Sequence, residues 1–154
     1  MRITLSVCLA AAIVLGGTFF AGRLGHLRAV HAQDTGCNAA TFTGAYGYTM
    51  SGFVYDARGN SYDLANAGRL VADGNGGFTG ADTFSFDGTI IKRKLTGTYT
   101  INADCTGSIV VQFDTGAVTG TNHGDIVAVS NAREINFIQT DPDFIFSGVL
   151  KRQN

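Results

Sequence analysis

Asp82 is the side chain of this sequence best placed to do chemistry. In the run Gly68 to Phe86, GRLVADGNGGFTGADTFSF, it shares a period-two parity with Phe78, Gly80, Phe84 and Phe86. A carboxylate on an aromatic strand face loses its water, which raises its pKa and suits it to general acid or base work in an isomerisation or cyclisation. The position is equally satisfied without catalysis, by a pairing with Arg69 or a tyrosine hydroxyl, or by a place at a wetted rim. Asp82 is therefore a weak catalytic candidate.

The remaining reactive side chains form no constellation. His123 flanks a turn, with no matched acid and no serine in a nucleophile-elbow context, so it supports no triad and reads as a solvated loop residue. Cys37, Cys105 and His123 fall at no ligand spacing, so no metal is expected. Gly74-Asn75-Gly76-Gly77 joins two strands, whereas a phosphate cradle generally needs a following helix N-terminus. Lys92-Arg93-Lys94 reads as a solvated loop between strands. Asp125 and Glu134 lie on strands whose two faces are about equally apolar, which leaves their direction open. No cofactor is implied.

The elements that must position these residues begin after an export leader. Met1-Arg2 is followed by an apolar run from Ile3 to Gly22, and Val30-His31-Ala32 is a small-residue pattern that permits cleavage before Gln33. Residues 1–32 are thus read as a signal peptide, with a membrane role only if the leader is retained. The leader carries three of the 11 Lys and Arg, so the mature chain sets 8 of them against 12 Asp and Glu, a formal charge of −4. A mildly acidic chain lacks the basic footprint that nucleic-acid binding requires. Cys8 leaves with the leader, and the pair Cys37 and Cys105 in an exported domain is most simply a disulfide, with two buried thiols as the alternative. Residues 33–154 suit one domain, in which the single proline, Pro142, marks no linker.

Within that domain apolar residues alternate with a period of two and nowhere hold a helical period, so the fold is all-β. Strands are expected at about 41–55, 62–72, 78–86, 95–101, 106–113, 124–129, 134–140 and 144–151. Asp-Gly-Asn-Gly-Gly, Asn-Ala-Asp, Asn-Ala-Arg and Asp-Pro-Asp stretches mark turns between them, and a longer Gly-rich loop covers Asp114 to Asn122. Eight strands on short connections describe an antiparallel up-and-down meander, and eight is a number at which such a sheet closes without edges. A β-sandwich is the alternative. If the threonine parities face water, the interior receives Tyr46, Tyr48, Met50, Leu64, Asn66, Leu70, Phe78, Asp82, Phe84, Phe86, Tyr99, Ile101, Phe144, Phe146 and Leu150. That lining suits a small-molecule pocket, although an eight-stranded barrel is also narrow enough to be filled by its own side chains.

Thr-Gly-Ala-Tyr-Gly-Tyr-Thr (43–49), Ala-Asp-Gly-Asn-Gly (72–76), Gly-Thr-Tyr-Thr-Ile-Asn-Ala-Asp-Cys-Thr-Gly (97–107) and Glu-Ile-Asn-Phe-Ile-Gln-Thr (134–140) before Ser-Gly-Val-Leu-Lys (147–151) resemble a group of small exported bacterial proteins, mostly uncharacterised. The resemblance implies a calycin-like barrel similar to lipocalins and allene oxide cyclases. The chain has no tryptophan, so the Gly-x-Trp signature of lipocalins and the tryptophan-built pocket of avidins are both absent. No catalytic residue carries over from the cyclases.

The reading that follows is an exported barrel binding a small apolar or aromatic ligand in its interior without catalysis, with Tyr46, Tyr48, Asn66, Asp82, Phe84, Tyr99 and Phe146 as ligand-binding candidates. Its alternatives are an isomerase or cyclase in which Asp82 or Tyr46 assists, and an envelope-associated structural module with a filled core.

Overall fold

The computed structural model describes residues 36–154. The proposed leader, with Cys8 and the cleavage site, lies outside the described residues. After a single 3-10 turn at Ala39–Thr41 come β1 (Thr43–Tyr55), β2 (Ser61–Asp73), β3 (Gly77–Phe86), β4 (Thr89–Ile101), β5 (Thr106–Asp114), β6 (Thr119–Val129), β7 (Glu134–Gln139) and β8 (Phe144–Arg152). Each strand pairs antiparallel with the next, and β8 returns to β1 from Tyr46↔Arg152 to Val54↔Phe144, closing an eight-stranded up-and-down barrel. Closure removes both edges, so the apolar β8 presents no unpaired strand face to another chain. The sandwich alternative is set aside.

Alternation decides the two faces. Along β2, Leu64, Asn66, Leu70 and Ala72 are buried while Ala65, Ala67, Arg69 and Val71 are exposed. Along β4 the threonines 96, 98 and 100 face solvent, and Arg93, Leu95 and Tyr99 face inward. Inward glycines sit where a neighbouring strand sends in a large ring. A Cβ on Gly97 would lie 2.5 Å from Phe78 Cζ and 2.0 Å from the Val110 carbonyl oxygen, so that position admits only hydrogen.

The two ends of the barrel differ. At the end where β1 begins, Phe42 is fully buried, edge-on to Tyr46 at 4.8 Å and tilted against Tyr99 at 4.7 Å between ring centroids. The Tyr99 hydroxyl donates to the Phe42 carbonyl at 2.6 Å, and that of Tyr46 to the Ala132 carbonyl at 2.7 Å. Cys37 and Cys105 form a disulfide across this end, with their Cα atoms 5.0 Å apart. A disulfide is compatible with an oxidising, exported compartment. Among the described residues the opposite end, reached by the β1–β2, β3–β4, β5–β6 and β7–β8 turns, carries no such plug.

Two expectations from the sequence are corrected. Lys92-Arg93-Lys94 is not a loop: β4 starts at Thr89, so alternation sends Lys92 and Lys94 to solvent and Arg93 into the barrel. The Gly-rich loop is also shorter than expected, because β6 starts at Thr119 and pairs with β5 from Asp114↔Thr119 onward. His123 therefore lies in a strand, exposed, with its Nδ1 2.8 Å from Asp141 Oδ1. Asp125 points outward, and Glu134 pairs at 3.8 Å with Lys151 on the surface.

Candidate functional site

Four inward positions on adjacent strands converge in the middle of the barrel: Tyr48 on β1, Asn66 on β2, Asp82 on β3 and Arg93 on β4. The registers Tyr48↔Gly68↔Asp82↔Arg93 carry the row across four strands, with glycine taking the β2 place. That glycine is structural to the site. A Cβ on Gly68 would lie 2.5 Å from Asp82 Cβ and 2.6 Å from the Tyr48 hydroxyl, so its hydrogen is what lets the tyrosine reach the acid.

Asp82 accepts four hydrogen bonds. Arg93 donates Nε to Oδ1 at 2.9 Å and Nη2 to Oδ2 at 2.6 Å; the Tyr48 hydroxyl and Asn66 Nδ2 donate to Oδ2 at 3.1 and 3.0 Å. The planar fork of arginine matches a carboxylate in this bidentate way, and the added donors satisfy the lone pairs that burial would otherwise strand. Of the partners considered for Asp82 from the sequence, the tyrosine hydroxyl is present. Arg69 is not, since it points outward and donates to Gln153 at 2.8 Å. Burial, together with the adjacent Asp82 charge and the hydrogen bond to it, holds the Tyr48 hydroxyl well above the usual tyrosine range, against a smaller opposing pull from Arg93. Tyr48 is thus held as a donor.

Arg93 divides two spaces. Below it a chamber of about 40 Å³ is bounded by Tyr48, Asn66, Asp82, Gln139 and Phe146 among others. Above it the open end forms a mouth of about 680 Å³, walled by Leu64, Phe84, Phe86, Ile91, Phe113 and Phe144. Arg93 and Asn122 border both spaces. The guanidinium carbon sits 4.1 Å from the Phe84 ring centroid and 5.3 Å from that of Phe113, so aromatic faces hold the cation from the mouth side.

The residues singled out from the sequence fall into three groups. Tyr48, Asn66, Asp82 and Phe146 border the chamber, and Phe84 the mouth. Tyr46 and Tyr99 instead hold the closed end through their bonds to Ala132 and Phe42. Phe86 has the inward parity but lies at the strand end, partly exposed and stacked on Tyr62 at 5.5 Å. Arg93, Phe113 and Asn122 were not among the expected site residues. The signal for Arg93 was available: counting back from the outward Thr100, Thr98 and Thr96 puts Lys94 and Lys92 outside and Arg93 inside.

Among the described residues no group of three or more His, Cys, Asp and Glu side chains could hold a metal ion. Compared with protein-family models, curated proteins and solved structures, the chain gives no match.

Proposed function

We propose that this chain is an exported, calycin-like barrel that binds a small ligand with an apolar or aromatic body in its open mouth, without catalysis. The observation that carries this reading is the mouth itself: about 680 Å³ with a wall of aliphatic and aromatic side chains. Ligand pockets typically span about 300–1,000 Å³ with such linings and a few polar groups at one side. Its polar side chains are Lys92, Thr115, Arg93 and Asn122, the last two shared with the chamber. The chamber below, at about 40 Å³, is too small for a ligand body, so the body belongs above Arg93. The disulfide supports the exported part of the reading, and the closed eight-stranded meander supports its calycin-like part.

Binding without reaction is favoured by the state of Asp82. Its two oxygens accept four hydrogen bonds, two of them from a paired guanidinium, which leaves it ill placed to take a proton from a substrate. Native mass spectrometry of the protein purified from its producer tests the proposal. A co-purifying small molecule that is lost in Phe113→Arg, which crowds the mouth, supports it. Repeated absence of any such species, with no apolar probe taken up afterwards, counts against it.

A further inference from the structure

Resting on the mouth as the seat of the ligand body, we infer that the ligand carries a neutral head group that both donates and accepts hydrogen bonds, in its simplest form a hydroxyl, and that this head is read by Asn66 in the chamber beneath Arg93. Asn66 is 9 % exposed, and its Oδ1 is the one fully buried side-chain polar atom without a hydrogen-bond partner among the described residues. Its orientation is not arbitrary. Turning the amide over would aim the oxygen at the Asp82 carboxylate, whereas the observed orientation donates Nδ2 to Asp82 Oδ2 at 3.0 Å and leaves Oδ1 unpartnered on a residue that borders the chamber. A buried acceptor left unmatched costs about 1–3 kcal/mol, so the site favours a donor there.

The charge balance narrows the class. Arg93 and Asp82 already neutralise each other at 2.6 Å, with side chains 8 % and 0 % exposed. A carboxylate head would bring a second anion towards Asp82 and present only lone pairs to Asn66 Oδ1, with Arg93, already paired, as the one cation bordering the chamber; Lys92 lines only the mouth. An ammonium head would satisfy Asn66 and meet the Arg93 guanidinium. A hydroxyl avoids both conflicts: it donates to Asn66 Oδ1 and can accept from the amide of Asn122, which borders the chamber and the mouth alike. About 40 Å³ accommodates a head group of that size while excluding a ring.

The test is calorimetry of the purified full-length protein with three probes of one skeleton: naphthylmethanol, naphthoate and methylnaphthalene, at neutral pH. The expected order is naphthylmethanol tightest, by about tenfold over methylnaphthalene, which is the size of one buried hydrogen bond, and naphthoate weakest. Asn66→Leu should remove the alcohol's advantage over methylnaphthalene. Tighter binding of naphthoate, or equal binding of all three, overturns the head-group assignment while the mouth remains a ligand site. No binding by any probe overturns both. If Asn66→Leu does not fold, the side-chain amide resonances of Asn66 in the unsubstituted protein decide. A shift on naphthylmethanol but not on methylnaphthalene upholds the assignment; equal shifts sink it.

Discussion

Arg93 and Asp82 stand directly opposite each other on β4 and β3, and the guanidinium clasps the carboxylate side-on through Nε and Nη2 at 2.9 and 2.6 Å. Both are inside the barrel, so each is tolerable there only because of the other. A buried ion pair is expensive to create and more expensive to break, since removing one partner leaves a charge with neither water nor counter-ion.

Arg93→Met should accordingly lower stability by about 3–5 kcal/mol, whereas Arg93→Met combined with Asp82→Leu should recover most of that loss. Urea unfolding of the single and double variants measures both. A double variant as unstable as Arg93→Met would show that the arginine matters through its packing on Phe84 and Phe113 and not through Asp82.

Gly68→Ala should destabilise the barrel by about 1–3 kcal/mol, because the new methyl would meet Asp82 Cβ at 2.5 Å, the Tyr48 hydroxyl at 2.6 Å and the Ala81 carbonyl oxygen at 2.7 Å. Two of these contacts are Cβ and backbone atoms that cannot swing aside. Thermal melting checks the stability, and a crystal structure of the variant should show the Tyr48 to Asp82 bond lengthened or lost. A melting point equal to that of the parent would count against the tight packing of this row.

Alkaline conditions should unfold the protein through its tyrosines. Burial, as the leading cause in each, holds Tyr46, Tyr48 and Tyr99 above the ordinary tyrosine range. A hydroxyl whose folded pKa is raised contributes stability that is fully present below the unfolded value near 10 and is lost as pH rises above it. Stability should therefore hold from neutrality to about pH 10 and fall beyond, with phenolate absorbance from three of the five tyrosines appearing together with loss of sheet signal. Tyr48→Phe should make the decline shallower. Ionisation of all five tyrosines while the sheet signal persists would contradict this.

Reduction of the Cys37–Cys105 bridge should cost roughly 4 kcal/mol on chain-entropy grounds, since it closes a loop with a sequence separation of 68. Alkylation without reductant should leave the mass unchanged. Two added labels under those conditions would disprove the bridge, and an unchanged denaturation midpoint after reduction would disprove its contribution.

Much of this architecture is legible in local chemistry. The Asp73 side chain accepts from Asn75 N at 2.7 Å and from Gly77 N at 2.9 Å, which builds the β2–β3 turn from residues visible as a turn in the sequence. Thr79, Thr83, Thr96 and Thr98 mark the outer face because the two sides of a strand are separated by one residue. The start of β4 is the place where composition misleads most. A strand starting at Leu95 puts Arg93 in a loop and hides the partner of Asp82, whereas β4 starts at Thr89. Three consecutive basic residues resemble a solvated loop in composition, and only their parity within a strand separates the middle one from its neighbours.

The sequence by itself determined an all-β chain, its strand count, its outward threonines and the inward parity of Asp82, because each follows from period-two alternation or from turn chemistry within a few residues. Only the tertiary structure decided that the barrel closes, that Tyr46 and Tyr99 hold one end shut, and that Arg93 meets Asp82 between a small chamber and a wide mouth. Those outcomes depend on the register between strands and on the volume left after rings and glycines interlock across the interior. Register and volume belong to the closed barrel as a whole, and no short run of residues encodes them.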